Sequence, residues 1–132
     1  LIKPNNHELS ALVGRTLTTP EELAKTAREL MEQYGISKIV VSMGGDGALY
    51  VTGSEILYAE GLKVPVGSTV GAGDSVVAAL AVAEEAGMSL SDTVCLSTAT
   101  GAANVMCSGT QAAEYSVIQE LLPKVVFHQI EI

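Results

Sequence analysis

The stretch Ser68-Thr69-Val70-Gly71-Ala72-Gly73-Asp74-Ser75 leads directly into an apolar segment, Val76 to Ala86, whose pattern predicts a helix. Glycine has no side chain, so backbone N–H groups in such a loop can approach a ligand closely. A helix start adds unpaired N–H donors and the positive end of the helix dipole, and together these bind anions, typically phosphate. Asp74 places a proton acceptor in the same turn. An anion cradle beside a base indicates phosphoryl transfer to a hydroxyl group.

This stretch also has an ordinary interpretation. Its glycines would then serve tight packing in a loop, and Asp74 would be a surface charge at a helix start, where the dipole favours an acid. Two further motifs decide between these interpretations, because each places small or polar residues where a nucleotide could lie.

The second motif, Ser42-Met43-Gly44-Gly45-Asp46-Gly47, follows a predicted buried strand, Lys38 to Ser42. In open α/β sheets, ligands bind beyond the carboxyl ends of the strands. Ser42 could donate a hydrogen bond to a phosphate, and the glycines would let the backbone come close to it. The alternative is a plain hairpin turn, since Asp-Gly is a common tight-turn pair.

The third motif is Lys3-Pro4-Asn5-Asn6-His7-Glu8. Asn5 and Glu8 lie on the same side of a first helical turn. An amide oxygen and a carboxylate suit Mg²⁺, usually through bound water. Lys3 could reach a phosphate as a mobile charge. In the alternative interpretation Asn5 only caps the helix and Glu8 only complements its dipole.

Composition excludes several classes of function. The chain has 132 residues, a length that suits a single domain over 1–132. Its net charge of −8 argues against a nucleic-acid surface, and no apolar run has the length of a membrane span. Cys95 and Cys107 form no metal-binding spacing, so we expect packed, reduced thiols and a cytoplasmic, reducing compartment.

The predicted elements follow the order strand, helix, helix, strand, hairpin, strand and then helices. The first helix runs from the Asn5 cap to Gly14, and the second starts at the Thr19 cap. The hairpin is expected over 48–59 with its turn at Gly53-Ser54, the next strand over 62–66, and the helix after it over 72–86. This order is typical of a layered α/β domain with a mixed sheet flanked by helices. The last two helices are expected over 89–106 and 113–122, and a last strand over 125–130.

The three motifs, KPN-x-x-EL, S-x-GG-x-G and TVGAGDS, occur in this order. Together they resemble the ATP-binding half of PfkB carbohydrate kinases, closest to the 1-phosphofructokinase and tagatose-6-phosphate kinase branches. The resemblance covers essentially the whole chain and implies the C-terminal part of a ribokinase-like fold. It implies ATP-dependent phosphorylation of a phosphosugar hydroxyl, fructose 1-phosphate to fructose 1,6-bisphosphate, with ATP and Mg²⁺.

The resemblance also implies a role for each motif. Asp74 would be the catalytic base, and the anion hole would consist of the N–H groups of Gly71, Ala72, Gly73 and Asp74. Lys3 would approach the ATP tail, and Asn5 with Glu8 would match the magnesium motif. Asn104 would hydrogen-bond the adenine from a helix of small residues that includes Ala99, Gly101 and Ala102. The nucleotide phosphates would be lined by Ser42, Met43, Gly44, Gly45, Asp46 and Gly47.

The sequence departs from the family pattern in two ways. Many members carry Asp where Ser68 stands, and that Asp helps to hold a monovalent cation in part of the family, so Ser68 puts such a site in doubt. The N-terminal part, which supplies most sugar contacts and a lid, is missing. We therefore expect no turnover from the isolated chain and allow for a homo-oligomer formed through the lid region.

Two other classes of function stay open at this point. The chain could be a non-catalytic module that binds a nucleotide or another anion. It could also be a packing unit whose glycines serve only turns. Tagatose 6-phosphate and fructose 6-phosphate remain alternative substrates.

Overall fold

A computed structural model of the chain describes residues 2–43, 47–62, 72–106 and 115–130, and for 72–75, 105 and 115 it describes the backbone alone. The chain divides into two compact units. The first holds Leu1–Glu60 with Phe127–Ile132, and the second holds Gly61–Val126. Two such units are compatible with one domain as well as with two, so a single domain over 1–132 stays a prediction.

Helix α1 (Asn6–Val13) is held at both ends by residues whose type favours a helix boundary. Asn5 Oδ1 accepts a hydrogen bond from the Glu8 N–H at 2.7 Å, and Glu8 Oε1 accepts one from the Asn5 N–H at 3.0 Å. This reciprocal capping box satisfies two backbone donors that the helix itself cannot pair. Gly14 ends the helix at φ 68°, a left-handed conformation that glycine adopts without a steric cost.

Helix α2 (Pro20–Tyr34) starts at Thr19, whose hydroxyl accepts a hydrogen bond from the Glu22 N–H at 3.2 Å. Proline suits the first helical position because its missing N–H would have no partner there. The apolar side of α2 packs on strands β1 and β2, and its buried residues are Leu23, Ala24, Thr26, Ala27, Leu30 and Met31.

In the described part of the chain, the sheet of the first unit has four strands in the order β1-β2-β3-β4: β1 (Lys38–Ser42), β2 (Ala48–Thr52), β3 (Ile56–Ala59) and β4 (Phe127–Gln129). All neighbouring pairs are antiparallel. Thr52 closes the turn between β2 and β3, since its hydroxyl accepts from the Glu55 N–H at 3.1 Å. The predicted hairpin over 48–59 is therefore confirmed.

Among the described residues, parallel pairing involves only the segment 2–5 near the start of the chain. Ile2 and Asn5 form isolated parallel bridges with Ile39 and Ser42 on the outer edge of β1. The predicted α/β class is confirmed. The mixed character of the sheet rests, within the described residues, on these two bridges alone, while the named strands are antiparallel.

Large aliphatic side chains form the core of the first unit. They come from both helices, from the loop between these helices and from β1, β2 and β3. Each fully buried one stabilises the fold by roughly 1.5–3 kcal/mol. The main members of this core are Leu9, Leu17, Leu23, Leu30, Met31, Ile39, Val41, Leu49, Val51 and Ile56.

The second unit consists of helices α3 (Ala72–Ala86), α4 (Leu90–Met106) and α5 (Tyr115–Leu121), followed by a 3-10 turn at Leu122–Lys124. Gly87 ends α3 at φ 67°, and the Ser89 hydroxyl caps α4 by accepting from the Asp92 N–H at 3.2 Å. Helices α3 and α4 pack against each other, and α4 also contacts α5. The predicted helices over 72–86 and 89–106 are confirmed.

Small residues dominate the buried side of α4. Ala99 and Ala103 are fully buried and cluster with Leu121. A Cβ atom built on Gly101 would lie only 2.7 Å from Cγ2 of Val76 on α3, so the two helices approach closely at this point. In the part of the chain that the structure describes, no helix combines the length and the apolar character needed to cross a membrane.

Candidate functional site

The first unit brings the start of α1 next to the carboxyl end of β1. The Ser42 N–H donates to the Pro4 carbonyl at 3.0 Å, and Asn5 forms a bridge with Ser42. Lys3 is half-buried in the same short segment. Ser42, which begins the second motif, is therefore a neighbour of the segment 3–8, although the two are far apart in the sequence.

The turn after β1 is closed by its own backbone. The Met43 N–H donates to the Gly47 carbonyl at 2.9 Å, and Gly47 has φ 107°, a conformation that side chains rarely tolerate. The Met43 side chain packs on the core of the first unit. Because the N–H groups of Ser42 and Met43 are already donated within the protein, a contribution from Ser42 to phosphate binding would come from its hydroxyl group.

Asn5 and Glu8 fit the capping interpretation and leave room for a metal ion. Glu8 is exposed, and its bond to the Asn5 N–H uses one of about four acceptor positions on the carboxylate. Within 2–43, 47–62, 72–106 and 115–130, no three His, Cys, Asp or Glu side chains group closely enough to hold a metal. A Mg²⁺ ion that keeps most of its water needs only one or two carboxylates, and this pair suits such an ion.

The second unit carries the residues proposed for chemistry. Ala72, Gly73 and Asp74 form the first turn of α3, as the sequence predicts. The first N–H groups of any α-helix have no partner within the helix. The positive end of the α3 dipole therefore lies at Ala72, Gly73 and Asp74. These are residues for which the sequence predicts the anion hole and the catalytic base.

Asn104 lies near the end of α4 and is 4% exposed. Thr93, Ser97 and Thr100 place further polar groups on this helix, and the hydroxyl of each bonds back to the carbonyl one turn earlier, at 2.7–2.8 Å. These bonds satisfy the hydroxyl donors within the helix itself. The adenine contact of Asn104 stays a prediction.

Cys95 lies half-buried on α4 as a free thiol. Burial, followed by the nearby Asp92 carboxylate, raises the pKa of the Cys95 thiol. Both causes disfavour the thiolate, which is the reactive form. This thiol therefore fits the predicted role of a packed, reduced cysteine.

Several predicted positions lie outside the described residues: Gly44, Gly45, Asp46, Ser68, Gly71, Cys107, residues 63–66 of the strand predicted over 62–66, and the helix residues 113–114. The site is thus described in two separate parts, one at the junction of α1 with β1 and one at the start of α3. The sequence interpretation missed the close approach of Gly101 to Val76, because no local pattern marks it.

Comparison with known proteins supplies the family. The profile described as pfkB family carbohydrate kinase matches residues 1–116. A 1-phosphofructokinase of Haemophilus influenzae is 39% identical over 132 residues, which cover 99% of this chain and 42% of that protein. The ATP-dependent 6-phosphofructokinase isozyme 2 of Escherichia coli is 37% identical over 92% of this chain and 39% of its own length. The chain therefore spans about two-fifths of these relatives.

Solved structures agree with the sequence comparison. Phosphofructokinase-2 of Escherichia coli, in complex with substrates and products, superposes with a TM-score of 0.86 at 35% identity, covering 93% of this chain and 40% of that one. Ribokinase of Thermotoga maritima gives a TM-score of 0.77 at 29% identity, covering 92% of this chain and 41% of that one. The ribokinase-like α/β fold is confirmed, and the chain belongs to the pfkB family of carbohydrate kinases.

Proposed function

We propose that the protein containing this chain is an ATP-dependent phosphosugar kinase, and that this chain supplies its nucleotide site, anion hole and catalytic base. The observation that carries the proposal is the 39% identity to a 1-phosphofructokinase over the whole chain. The start of α3 at the TVGAGDS motif supports it from the geometry.

The second unit would perform the chemical step. The oxygen of the sugar hydroxyl attacks the γ-phosphorus of ATP, the bond from that phosphorus to the ADP oxygen breaks, and the hydroxyl proton moves to the Asp74 carboxylate. The N–H groups of Gly71, Ala72, Gly73 and Asp74 would stabilise the charge on the transferred group. One such donor is worth roughly 10²–10³ in rate, and a general base roughly 10²–10⁴.

The first unit would hold the nucleotide tail. Lys3 would contact the phosphates, and residues 42–47 would line them through the Ser42 hydroxyl and the glycine-rich turn. Asn5 and Glu8 would hold Mg²⁺ through water. When bound, that ion neutralises charge on the phosphates, which matters in a chain with a net charge of −8.

Fructose 1-phosphate is the substrate we propose. The specific observation for a second candidate, fructose 6-phosphate, is the 37% identity to the 6-phosphofructokinase isozyme 2 of Escherichia coli. A coupled assay that follows ADP release from the full-length protein should separate them. We expect the highest kcat/KM with fructose 1-phosphate, and a preference for fructose 6-phosphate or tagatose 6-phosphate would replace this substrate assignment.

Absence of phosphoryl transfer to any of these sugars, with ATP still bound in calorimetry, would instead establish a non-catalytic nucleotide-binding module.

We also propose that the isolated chain has no turnover. Phosphofructokinase-2 of Escherichia coli has a tetrameric inhibited form, and we propose self-association for the full-length protein, in the cytoplasm. Light scattering of the purified protein tests the oligomeric state.

A further inference from the structure

Gly101 lies at a close contact between helices α3 and α4. A Cβ atom at this position would lie 2.7 Å from Cγ2 of Val76. Carbon atoms in ordinary contact stand about 3.5–4.0 Å apart. A single added methyl group would therefore need a shift of about 1 Å somewhere in this helix pair.

The Val76 side chain cannot absorb this shift easily. Valine has two heavy atoms on Cβ, and in a helix it adopts one χ1 rotamer in about 90% of cases. Rotating Cγ2 away would force the side chain into a disfavoured rotamer. The backbone of one helix has to move instead.

Helix α4 is the less able of the two to move. Ala99 and Ala103, on either side of Gly101, are both 0% exposed and belong to the cluster with Leu121. On α3, the buried residues Ala79, Leu80 and Ala83 all follow Val76 in the chain, so they hold the later turns of this helix. An added methyl group at 101 would therefore displace the first turns of α3.

The displaced turn is the one that matters for the proposed chemistry. Asp74 is two residues before Val76, in the first turn of α3. We infer that Gly101 is a positioning residue: its missing side chain sets how closely α3 lies against α4, and so where Gly73 and Asp74 stand. This inference rests on the proposed function. A misplacement of about 1 Å in a catalytic site can cost about 10²-fold in rate.

The test uses the full-length protein and the variants Gly101→Ala, Val76→Ala and the double variant. We expect Gly101→Ala to lower kcat by about 10²-fold. ADP affinity measured by calorimetry should stay within about threefold, because ADP lacks the phosphoryl group that the α3 N–H groups would hold. The double variant should recover most of kcat, because Val76→Ala removes the atom that the new methyl group meets.

Val76→Ala alone should also lower kcat several-fold, because α3 loses the side chain that limits how closely it approaches α4 at Gly101. Gly53→Ala is the matched control. Gly53 lies in the turn between β2 and β3, and a Cβ atom there has nothing within 4 Å. We expect this variant to keep the kcat, ADP affinity and melting temperature of the parent protein.

Each outcome decides the inference. Normal kcat in Gly101→Ala, or a loss that the double variant does not repair, overturns it. If Gly101→Ala does not fold, Val76→Ala and the double variant decide: a reduced kcat that the double variant restores supports the inference, and any other pattern overturns it. Inactivity of the unmodified full-length protein would reject the proposed function itself, which is a separate result.

Discussion

The two units of the chain are packed in opposite ways. In the first unit, large aliphatic side chains such as Leu9, Ile39 and Leu49 fill the space between two helices and a sheet. In the second unit, the contributions of α4 are small: Ala99 and Ala103 cluster with Leu121 of α5, and Gly101 faces Val76 of α3.

This difference predicts which substitutions should destabilise each unit. The first unit should suffer when volume is removed, because a cavity remains. The helix pair of the second unit should suffer when volume is added, because the backbone must move. Since the second unit carries the proposed chemical step, added volume there should affect catalysis as well as stability.

The largest effect should come from Asp74→Asn in the full-length protein. We expect turnover to fall by about 10²–10⁴-fold, equivalent to about 3–5 kcal/mol of activation free energy, because the proton acceptor is lost. Nucleotide affinity and the melting temperature should change little. A coupled assay beside calorimetry measures both, and near-normal turnover would remove Asp74 from the role of base.

Leu49→Ala tests the loss of side-chain volume in the core of the first unit. Leu49 is 0% exposed on β2, and its truncation should lower the free energy of unfolding by about 2–5 kcal/mol. The turnover of each folded molecule should stay near that of the parent protein. Leu12→Ala is the control, since Leu12 is 64% exposed on α1. Urea titration measures the difference, and equal losses in both variants would contradict the cavity argument.

Ala99→Leu adds volume to the buried side of α4. We expect a loss of about 1–3 kcal/mol in the free energy of unfolding, because the buried cluster that Ala99 forms with Leu121 cannot accept the larger side chain without strain. Ala81→Leu places the same side chain on the exposed side of α3 and should be nearly neutral. Thermal unfolding of both variants decides, and tolerance of leucine at 99 would mean that α4 is not closely packed in this cluster.

Glu8→Gln separates capping from metal binding at the start of α1. Glutamine keeps an oxygen for the Asn5 N–H, so the capping box and the stability should survive. The lost charge should raise the Mg²⁺ concentration needed for half-maximal activity by about 10-fold or more. Unchanged magnesium dependence would leave Glu8 with its capping role alone.

Cys95 should give the smallest effect, and only in alkaline solution. Its pKa is raised above the ordinary 9.0 by burial and then by Asp92. The folded state therefore holds this proton more tightly, so the stabilisation is complete below pH 9.0 and is lost as the pH rises through the raised value. Urea titrations of the parent protein and Cys95→Ser, at neutral pH and above pH 9.0, should differ in slope with pH. Identical pH dependence would contradict this assignment.

Local signals predicted the boundaries of the elements well. Asn5, Thr19 and Gly14 act through bonds to residues within a turn of themselves, so residue type alone indicates each cap. The hairpin over 48–59 likewise follows from its Gly53-Ser54 turn. The anion-binding motif at 71–74 is predicted for the same reason, since its glycines and the helix start are adjacent in the chain.

Local sequence signals could not predict which distant segments pair with each other. The pairing of β4 with β3, from a part of the chain far from the other strands, depends on contacts that no window of sequence contains. The same holds for the bridge between Asn5 and Ser42 and for the contact of Gly101 with Val76. A glycine within a helix looks the same in sequence whether it lies beside a ligand or beside another helix.

The hydrogen bonds between residues 2–4 and β1 can report on local opening of the sheet edge. The Val40 N–H donates to the Ile2 carbonyl at 2.9 Å, and the Ser42 N–H donates to the Pro4 carbonyl at 3.0 Å. Deuterium can replace these two protons only when residues 2–4 detach from the edge of β1. Their exchange rates would thus record how often the end of the sheet that we propose to face the nucleotide opens, in a solution that contains no substrate.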